Sequence, residues 1–239
     1  MTSVPYLFGV AARVAGAGVT VVGLELAVAW PKVEAWRRGP LPGGRWAALA
    51  LACLGAGFVI FPELCLAGGG IVAAVAIFYF VVACEPAGDG SDVMLVLVLA
   101  GLGASDLMPF GWMRTVAWWC LAVNVCLAYW WSGVAKTRVP AWRAGRQVAL
   151  ALNSPRYGSP AVAREFLDHQ GAAKAVSWSV IGLEAACPAF LVIGGPALWV
   201  WAVCALLMHL GIALMMGLGR FLWAFSAGLL CLLAVRGTI

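Results

Sequence analysis

Two ionisable side chains inside apolar runs are the features of this sequence with the clearest chemical meaning. Glu184 and His209 lie well inside two consecutive apolar runs that a short GGP turn connects. If the runs form antiparallel helices, the carboxyl group and the imidazole lie at comparable depths and can share a hydrogen bond. A charge at the bilayer centre costs about 2.5 to 3.5 kcal/mol, so such residues normally face a protein interior or a wet cavity. The pair is either a polar clamp between helices or a proton-handling pair.

Lys136 is the third residue with chemical potential, and its position allows two interpretations. It follows the apolar run that ends in YWWSGVA, where the sequence becomes basic. Position alone favours an anchor whose amine extends to the membrane surface. The alternative is a reactive amine at the mouth of a buried site, where a lysine can act as a general base.

Charged residues also occur in the first apolar run. Arg13 and Glu25 are twelve residues apart, so they point to nearly the same face of a helix without reaching each other. Arg13 either forms an interhelical salt bridge or extends to the nearer surface, or it binds an anion or substrate. Glu25 lies close to the end of its run, which favours a structural role. Glu63, near the second turn, and Asp106, in the fourth run, are the other acidic residues placed within apolar sequence.

The composition identifies the environment that positions these residues. Hydrophobic residues make up 64% of the chain and charged residues 10%, against roughly 45 to 50% and 25% in soluble domains. The mean hydropathy is +0.98. We therefore predict an all-α, polytopic integral membrane helix bundle, in contact with the lipid bilayer and without a nucleic-acid partner.

A spanning helix needs about 20 apolar residues, and this length predicts about eight transmembrane helices, with seven as the alternative. The stretch FPELCLAGGG is either a turn between two of them or an interrupted helix. The spans are expected near Pro5 to Trp30, Trp46 to Cys65, Gly68 to Cys84, Val93 to Phe110, Trp112 to Ala135, Val176 to Ile193, Pro196 to Gly217 and Phe221 to Val235.

The segments between the spans predict the domain organisation and the orientation of the chain in the membrane. Residues 1–239 form a single transmembrane domain, in which 137–175 is an amphipathic segment on the membrane surface after the fifth span. The loop from Pro31 to Arg45, the 137–175 segment and the last loop hold most lysines and arginines. The positive-inside rule places these loops in the cytoplasm and both termini outside. The eight cysteines form no CxxC pair, so no metal site is expected.

The stretch SGVAKTRVPAWRAGRQVALAL resembles the signature of the horizontally transferred transmembrane (HTTM) domain family, which includes vitamin K-dependent gamma-glutamyl carboxylase and short bacterial relatives. GLEAACPAFLV and MHLGIALMMGLGRF are similar to the family's later segments, and Arg13 and the GSD turn from Gly90 to Asp92 also match. The signature residues here are Tyr129, Trp130, Gly133, Lys136, Trp142 and Gly145, followed by Glu184, Pro188, His209 and Phe221.

The resemblance implies a function and a set of site residues. Lys136 would be the base that deprotonates a reduced, vitamin K-like quinone, with Glu184 and His209 as the other catalytic residues. Arg13, Trp142 and Trp130 would contact the substrate. Because Ala135 replaces a second lysine of the carboxylase, the implied function is the modification or maturation of a secreted peptide or lipid-soluble substrate in the bacterial cytoplasmic membrane.

A non-enzymatic membrane protein is the alternative hypothesis. In an immunity or partner-binding module, the buried ionisable residues would hold helices together. In a small transporter, they would line a route open to both faces, usually in a fold with repeat symmetry. A pocket open to one side only would favour the enzyme, so the sequence leaves enzymatic activity undecided.

Overall fold

The computed structural model describes residues 3–37, 43–83, 90–154 and 158–236, and all regular structure in these ranges is helical. This confirms the all-α class. These described ranges contain thirteen α-helices, numbered in chain order. They are α1 (Ser3–Arg37), α2 (Gly44–Ile60), α3 (Pro62–Leu64), α4 (Gly70–Ala83), α5 (Gly90–Ser105), α6 (Gly111–Arg138), α7 (Pro140–Arg143), α8 (Arg146–Leu152), α9 (Pro160–Asp168), α10 (Gln170–Ala185), α11 (Cys187–Ile193), α12 (Gly195–Met216) and α13 (Gly219–Arg236).

Several of these helices have the length and composition of membrane spans. Within the described residues, four stretches qualify, namely Tyr6–Trp30, Pro62–Val82, Gly195–Met216 and Gly219–Arg236. The bent pair α10 and α11 makes a fifth if it is one span. The chain is therefore a multi-pass membrane protein. The predicted count of about eight is not confirmed, because α2 and α5 are apolar but shorter than a full span and α6 is not among the qualifying stretches.

The FPELCLAGGG stretch is largely helical, with breaks at Phe61 and at Ala67 to Gly68. Pro62 begins α3 directly after Phe61, at a helix start where its missing N–H is not needed. A wide helical turn, Cys65–Gly69, then leads into α4, with non-helical backbone angles at Ala67 and Gly68. Gly68 has a φ of 94°, which favours glycine because it has no Cβ.

Two predicted helix boundaries were wrong. The chain was expected to leave the first helix at Pro31, whereas α1 continues to Arg37. A proline removes one backbone hydrogen bond but does not always end a long apolar helix. The expected turn from Gly90 to Asp92 instead forms the first turn of α5, where an acidic residue is stabilised by the helix dipole.

The chain divides into two compact units. Unit 1 comprises Met1–Ala122 and Trp223–Val235, and unit 2 comprises Val123–Leu222 and Arg236–Ile239. The boundaries fall inside α6 and α13, so each of these helices supplies residues to both units. That the whole chain is one domain stays a prediction.

In unit 1, α1 and α2 approach each other closely at glycines. A Cβ on Gly23 would lie 2.5 Å from the backbone nitrogen of Ala52, and a Cβ on Gly55 would lie 2.5 Å from that of Thr20. Small residues allow such approach, which maximises van der Waals contact where lipid provides no hydrophobic driving force.

In unit 2, the helices expected at the membrane surface and the sixth span differ from the prediction in detail. The described residues of 137–175 contain α7, α8, α9 and the first turns of α10, so the expected surface segment is divided into several short helices. The expected continuous span from Val176 to Ile193 is bent by 45° between α10 and α11. Pro188 lies in the first turn of α11, where its missing N–H prevents a continuous helical ladder.

Candidate functional site

The candidate site of unit 2 lies where α6 packs against α10. A Cβ on Gly133 would lie 2.6 Å from the backbone nitrogen of Ala185, and one on Gly145 would lie 2.5 Å from that of Lys174. From Gly133 to Gly145 the residue numbers increase, while the residues opposite them decrease from Ala185 to Lys174. The two chain segments therefore run antiparallel. Glycine at position 133 allows the backbones to approach closely, so side chains on neighbouring turns come within bonding distance.

Lys136 forms an ion pair across this helix contact. Its Nζ donates hydrogen bonds to Glu184 Oε2 at 2.6 Å and to Ser132 Oγ, also at 2.6 Å. The lysine and glutamate side chains are only 17% and 10% exposed. The amine therefore points toward α10, and Lys136 is not a simple surface anchor.

Trp142 packs beside the same amine. Lys136 Nζ lies 5.3 Å from the centroid of its indole ring, a cation–π distance. The carbonyl of Trp142 accepts a hydrogen bond of 2.5 Å from Ser177 Oγ. This bond fixes α7 against α10, so the indole is held in place beside the ion pair.

A second polar pair involves α12. Tyr129 Oη and His209 Nε2 are 2.8 Å apart, and both residues are buried. The Tyr129 ring packs edge-on against Trp201 at 5.2 Å. Trp201 in turn donates from Nε1 to the carbonyl of Leu183 at 2.9 Å. These contacts hold the tyrosine hydroxyl in one position.

Both polar pairs use one face of α6. Tyr129, Ser132 and Lys136 follow one another at intervals of three and four residues, which places them on the same side of a helix. The two pairs therefore lie on neighbouring turns of one helical face and form one group, called here the polar cluster (Tyr129, Ser132, Lys136, Glu184 and His209).

The expected direct pairing of Glu184 with His209 is replaced by two bonds to α6. Glu184 bonds to Lys136 and His209 bonds to Tyr129, because α6 offers a polar side chain at each depth. Sequence reasoning did not assign roles to Tyr129 and Ser132. Their spacing from Lys136 on one helical face was the available signal.

Arg13 lies in unit 1, where it serves the end of a helix. Its guanidinium donates from Nη1 to the carbonyls of Val59 and Ile60, with a distance of 3.2 Å to the latter. These carbonyls lie in the last turn of α2, where they have no partner within the helix. The Arg13 side chain is otherwise exposed. Its role as an anion or substrate ligand stays a prediction.

The remaining predicted residues lie outside the polar cluster. Trp130 is 37% exposed, and its ring lies 6.3 Å from that of Trp131. Asp106 forms a half-exposed ion pair with Arg114 at 3.4 Å in unit 1. Glu25 and Glu63 are exposed.

The described residues contain no group of three or more histidine, cysteine, aspartate or glutamate side chains that could hold a metal ion. The polar cluster offers an amine, a carboxyl group, a phenol and an imidazole, which are groups that transfer protons.

No protein-family model, curated protein or solved structure matches this chain.

Proposed function

We propose that this protein is a membrane-embedded, carboxylase-like enzyme of the HTTM type that removes a proton from a substrate, with Lys136 as the base. The observation that carries this proposal is the position of the Lys136 amine, hydrogen-bonded to Glu184 and Ser132 inside unit 2. The resemblance of the surrounding sequence to the HTTM signature supports the same role.

The Lys136–Glu184 bond suggests how a free base arises. Transfer of one proton from Nζ to Oε2 converts the ion pair into a neutral amine and a carboxylic acid, and a short hydrogen bond of 2.6 Å provides the path. Poorly solvated surroundings favour such neutralisation. The neutral amine then accepts a proton from the substrate, and Ser132 keeps the amine oriented.

Tyr129 and His209 complete the proposed proton-handling group. Their 2.8 Å contact allows a proton to move between the phenol and the imidazole. We propose that this pair orients the substrate. It also carries the proton taken from the substrate away from the site. Trp142, Trp130 and Arg13 are the proposed substrate contacts, of which Trp142 lies beside the amine.

A reduced, vitamin K-like quinone is the proposed cofactor. The lysine amine and tyrosine hydroxyl are suitable partners for quinone oxygens, and the Trp142 indole offers a flat surface to a ring. When bound, a reduced quinone would supply an acidic hydroxyl and reducing equivalents. Lys136 would accept the hydroxyl proton, and Glu184 would balance the resulting charge.

The proposed substrate is a secreted peptide or another lipid-soluble molecule, and the proposed location is a bacterial cytoplasmic membrane. The proposal also includes about eight transmembrane spans, with the basic loops in the cytoplasm. The apolar helices support a multi-pass arrangement. The short helices α7 to α9 would then lie at the membrane surface, close in sequence to Lys136 and Trp142.

The experiment begins with mass spectrometry of quinones and peptides that co-purify with the protein in detergent. The compound found is then added back to wild type and to Lys136→Met, and its conversion is measured. Lys174→Met is the matched control, because Lys174 is exposed on α10. We expect Lys136→Met to lose conversion per folded molecule, with the folded fraction of each variant measured by size-exclusion chromatography and used to normalise its conversion. Equal conversion by Lys136→Met and Lys174→Met would refute the role of Lys136.

A non-enzymatic role is the second candidate, and one observation favours it. The polar cluster residues hydrogen-bond to one another, as in a clamp that holds α6, α10 and α12 together. For an immunity or partner-binding module, such a structural clamp between the helices is sufficient. In that case, a variant that replaces Lys136 and Glu184 with methionine should keep its cellular function. A small transporter should instead show solute flux in proteoliposomes that this double variant loses.

A further inference from the structure

Three arginines of unit 2 lie close together at the end of α6. Arg138 is in the last turn of α6, Arg143 ends α7 and Arg146 begins α8. The N–H of Arg143 donates to the carbonyl of Val139 at 3.3 Å, and a tight turn at Gly145, with a φ of 81°, leads to Arg146. The three side chains, called here the arginine cluster, therefore start from one compact stretch of chain.

The positive charge of the arginine cluster is available to an external anion. All three side chains are exposed, and within the described residues none of their guanidinium groups forms an ion pair. By contrast, the amine of Lys136 in the same last turn of α6 is paired with the Glu184 carboxylate and is mostly buried. The arginine cluster is thus separate from the polar cluster in its exposure and in its partners.

Two partly exposed tryptophans flank the arginine cluster. Arg138 Cζ lies 5.5 Å from the centroid of the Trp131 ring, a cation–π distance. Trp178 donates from Nε1 to the carbonyl of Arg143 at 3.2 Å. The exposed fractions of Trp131 and Trp178 are 56% and 45%. Because indoles of membrane proteins concentrate at the boundary between hydrocarbon and headgroups, we expect the arginine cluster at the level of the lipid phosphates.

An exposed apolar stripe on α6 leads away from Arg138. Val123, Leu127 and Trp131 follow one another at intervals of four residues, and Arg138 lies two helical turns after Trp131 on the same face. The exposed fractions of Val123 and Leu127 are 42% and 49%. A cationic end followed by an apolar stripe is complementary to a molecule with an anionic head and a hydrocarbon chain.

We propose that the arginine cluster binds the headgroup of an anionic phospholipid, with an acyl chain along Leu127 and Trp131. A planar guanidinium group donates two parallel hydrogen bonds to a phosphate. A headgroup with a net negative charge is favoured, because the choline or ethanolamine of a zwitterionic lipid already balances its own phosphate. The site goes beyond the proposed base chemistry and does not require Lys136, so lipid binding and substrate conversion are independent readouts.

The test uses the full chain purified in detergent and native mass spectrometry at increasing lipid concentrations. Phosphatidylglycerol is compared with phosphatidylcholine that has the same acyl chains. We expect phosphatidylglycerol to bind at concentrations about tenfold or more below those needed for phosphatidylcholine. Equal binding of the two lipids would overturn the proposal, even if an arginine variant failed to fold.

Inorganic phosphate distinguishes a lipid site from a site for a free anion. Phosphate has the same oxygens but no acyl chain to place along Leu127 and Trp131. We therefore expect an equal concentration of phosphate to leave the bound phosphatidylglycerol in place. Displacement of the lipid under these conditions would assign the arginine cluster to a soluble anion and overturn the proposal.

Variants separate a defined site from general attraction to a basic surface. Arg138→Gln, Arg143→Gln and Arg146→Gln should each weaken phosphatidylglycerol binding about fivefold, and the triple variant about a hundredfold. Arg164→Gln is the matched control, because Arg164 is exposed on α9 of the same unit and Asp168 follows it by one turn. It should bind the lipid as wild type does. An equal loss in Arg164→Gln and Arg143→Gln would show general attraction and overturn the proposed site.

Discussion

The two units place their charged residues in different environments. In unit 1, Arg13 bonds to open carbonyls at a helix end, and the Asp106–Arg114 side chains are 45% and 41% exposed. In unit 2, the Lys136–Glu184 side chains are 17% and 10% exposed and join the sides of two helices. A buried ion pair gains little net stability over well-packed apolar residues. The Lys136–Glu184 pair therefore joins two helices away from most solvent, whereas Arg13 bonds to a helix end and the Asp106–Arg114 pair remains half-exposed.

The largest effect is expected from breaking the buried pair. Glu184→Ala leaves the ammonium group of Lys136 without its carboxylate, and we expect a loss of about 3 to 5 kcal/mol in the free energy of unfolding. Tryptophan fluorescence during thermal unfolding in detergent measures this change. Asp106→Ala is the control in unit 1, with an expected loss of about 0 to 1 kcal/mol because its pair is half-exposed.

A double variant sharpens the same comparison. Replacing Lys136 with Met and Glu184 with Leu removes both charges, so most of the lost stability should return while substrate conversion stays absent. If Glu184→Ala lowers the free energy of unfolding no more than Asp106→Ala does, the burial of the Lys136–Glu184 pair does not make it more important for stability than the exposed pair.

The next effect concerns the close helix contacts that both units share. Gly133→Ala places a Cβ 2.6 Å from the backbone nitrogen of Ala185, and we expect a loss of about 1 to 3 kcal/mol. Gly55→Ala should behave similarly in unit 1, since its Cβ would meet Thr20. Gly182→Ala is the control, because a Cβ there meets nothing within 4 Å. Detergent unfolding curves that show equal stability for Gly133→Ala and Gly182→Ala would contradict the close contact.

A smaller effect is expected for the second polar pair of unit 2. Tyr129→Phe keeps the ring packed against Trp201 but removes the bond to His209. The expected loss is about 0.6 to 1.7 kcal/mol, the range for hydrogen bonds between membrane helices. Substrate conversion should fall by more than this loss of folded protein explains. Tyr79→Phe, at a 56% exposed position, should change neither quantity.

The smallest effect is expected for Arg13. Arg13→Met removes the donor to the last carbonyls of α2, but the side chain is exposed, so the expected stability loss is about 1 kcal/mol or less. Arg13→Lys keeps the charge and should recover part of it. Loss of substrate conversion at nearly unchanged stability would instead assign Arg13 to the substrate, and the contrast between the units would then weaken.

Part of the candidate site was accessible from the sequence. Lys136, Glu184 and His209 stand out because ionisable groups are costly inside apolar runs. Which of them bond to each other was not accessible, because equal depth in two helices does not fix the rotation of either one. Trp142 could be connected to Lys136 only through the family signature, and its contact depends on the turn after α6.

Helix boundaries show a similar division. Apolar length correctly located α12 and α13 to within a few residues, but it did not give the end of α2 at Ile60, the bend between α10 and α11 or the continuation of α1 past Pro31. A proline is compatible with both outcomes, since neighbouring helices and local backbone adjustments decide whether the lost hydrogen bond ends the helix.

By itself, the sequence determined that this chain is a helical, multi-pass membrane protein, because so apolar a composition can be solvated only by lipid and must satisfy its backbone within helices. It also showed which ionisable side chains lie within apolar segments and must therefore face a protein interior or a wet cavity. The tertiary structure decided that Lys136 pairs with Glu184 and that His209 pairs with Tyr129. These partners depend on the rotation of α6 against its neighbours and on the close approach that Gly133 allows, and neither can be deduced from the order of residues along a single helix.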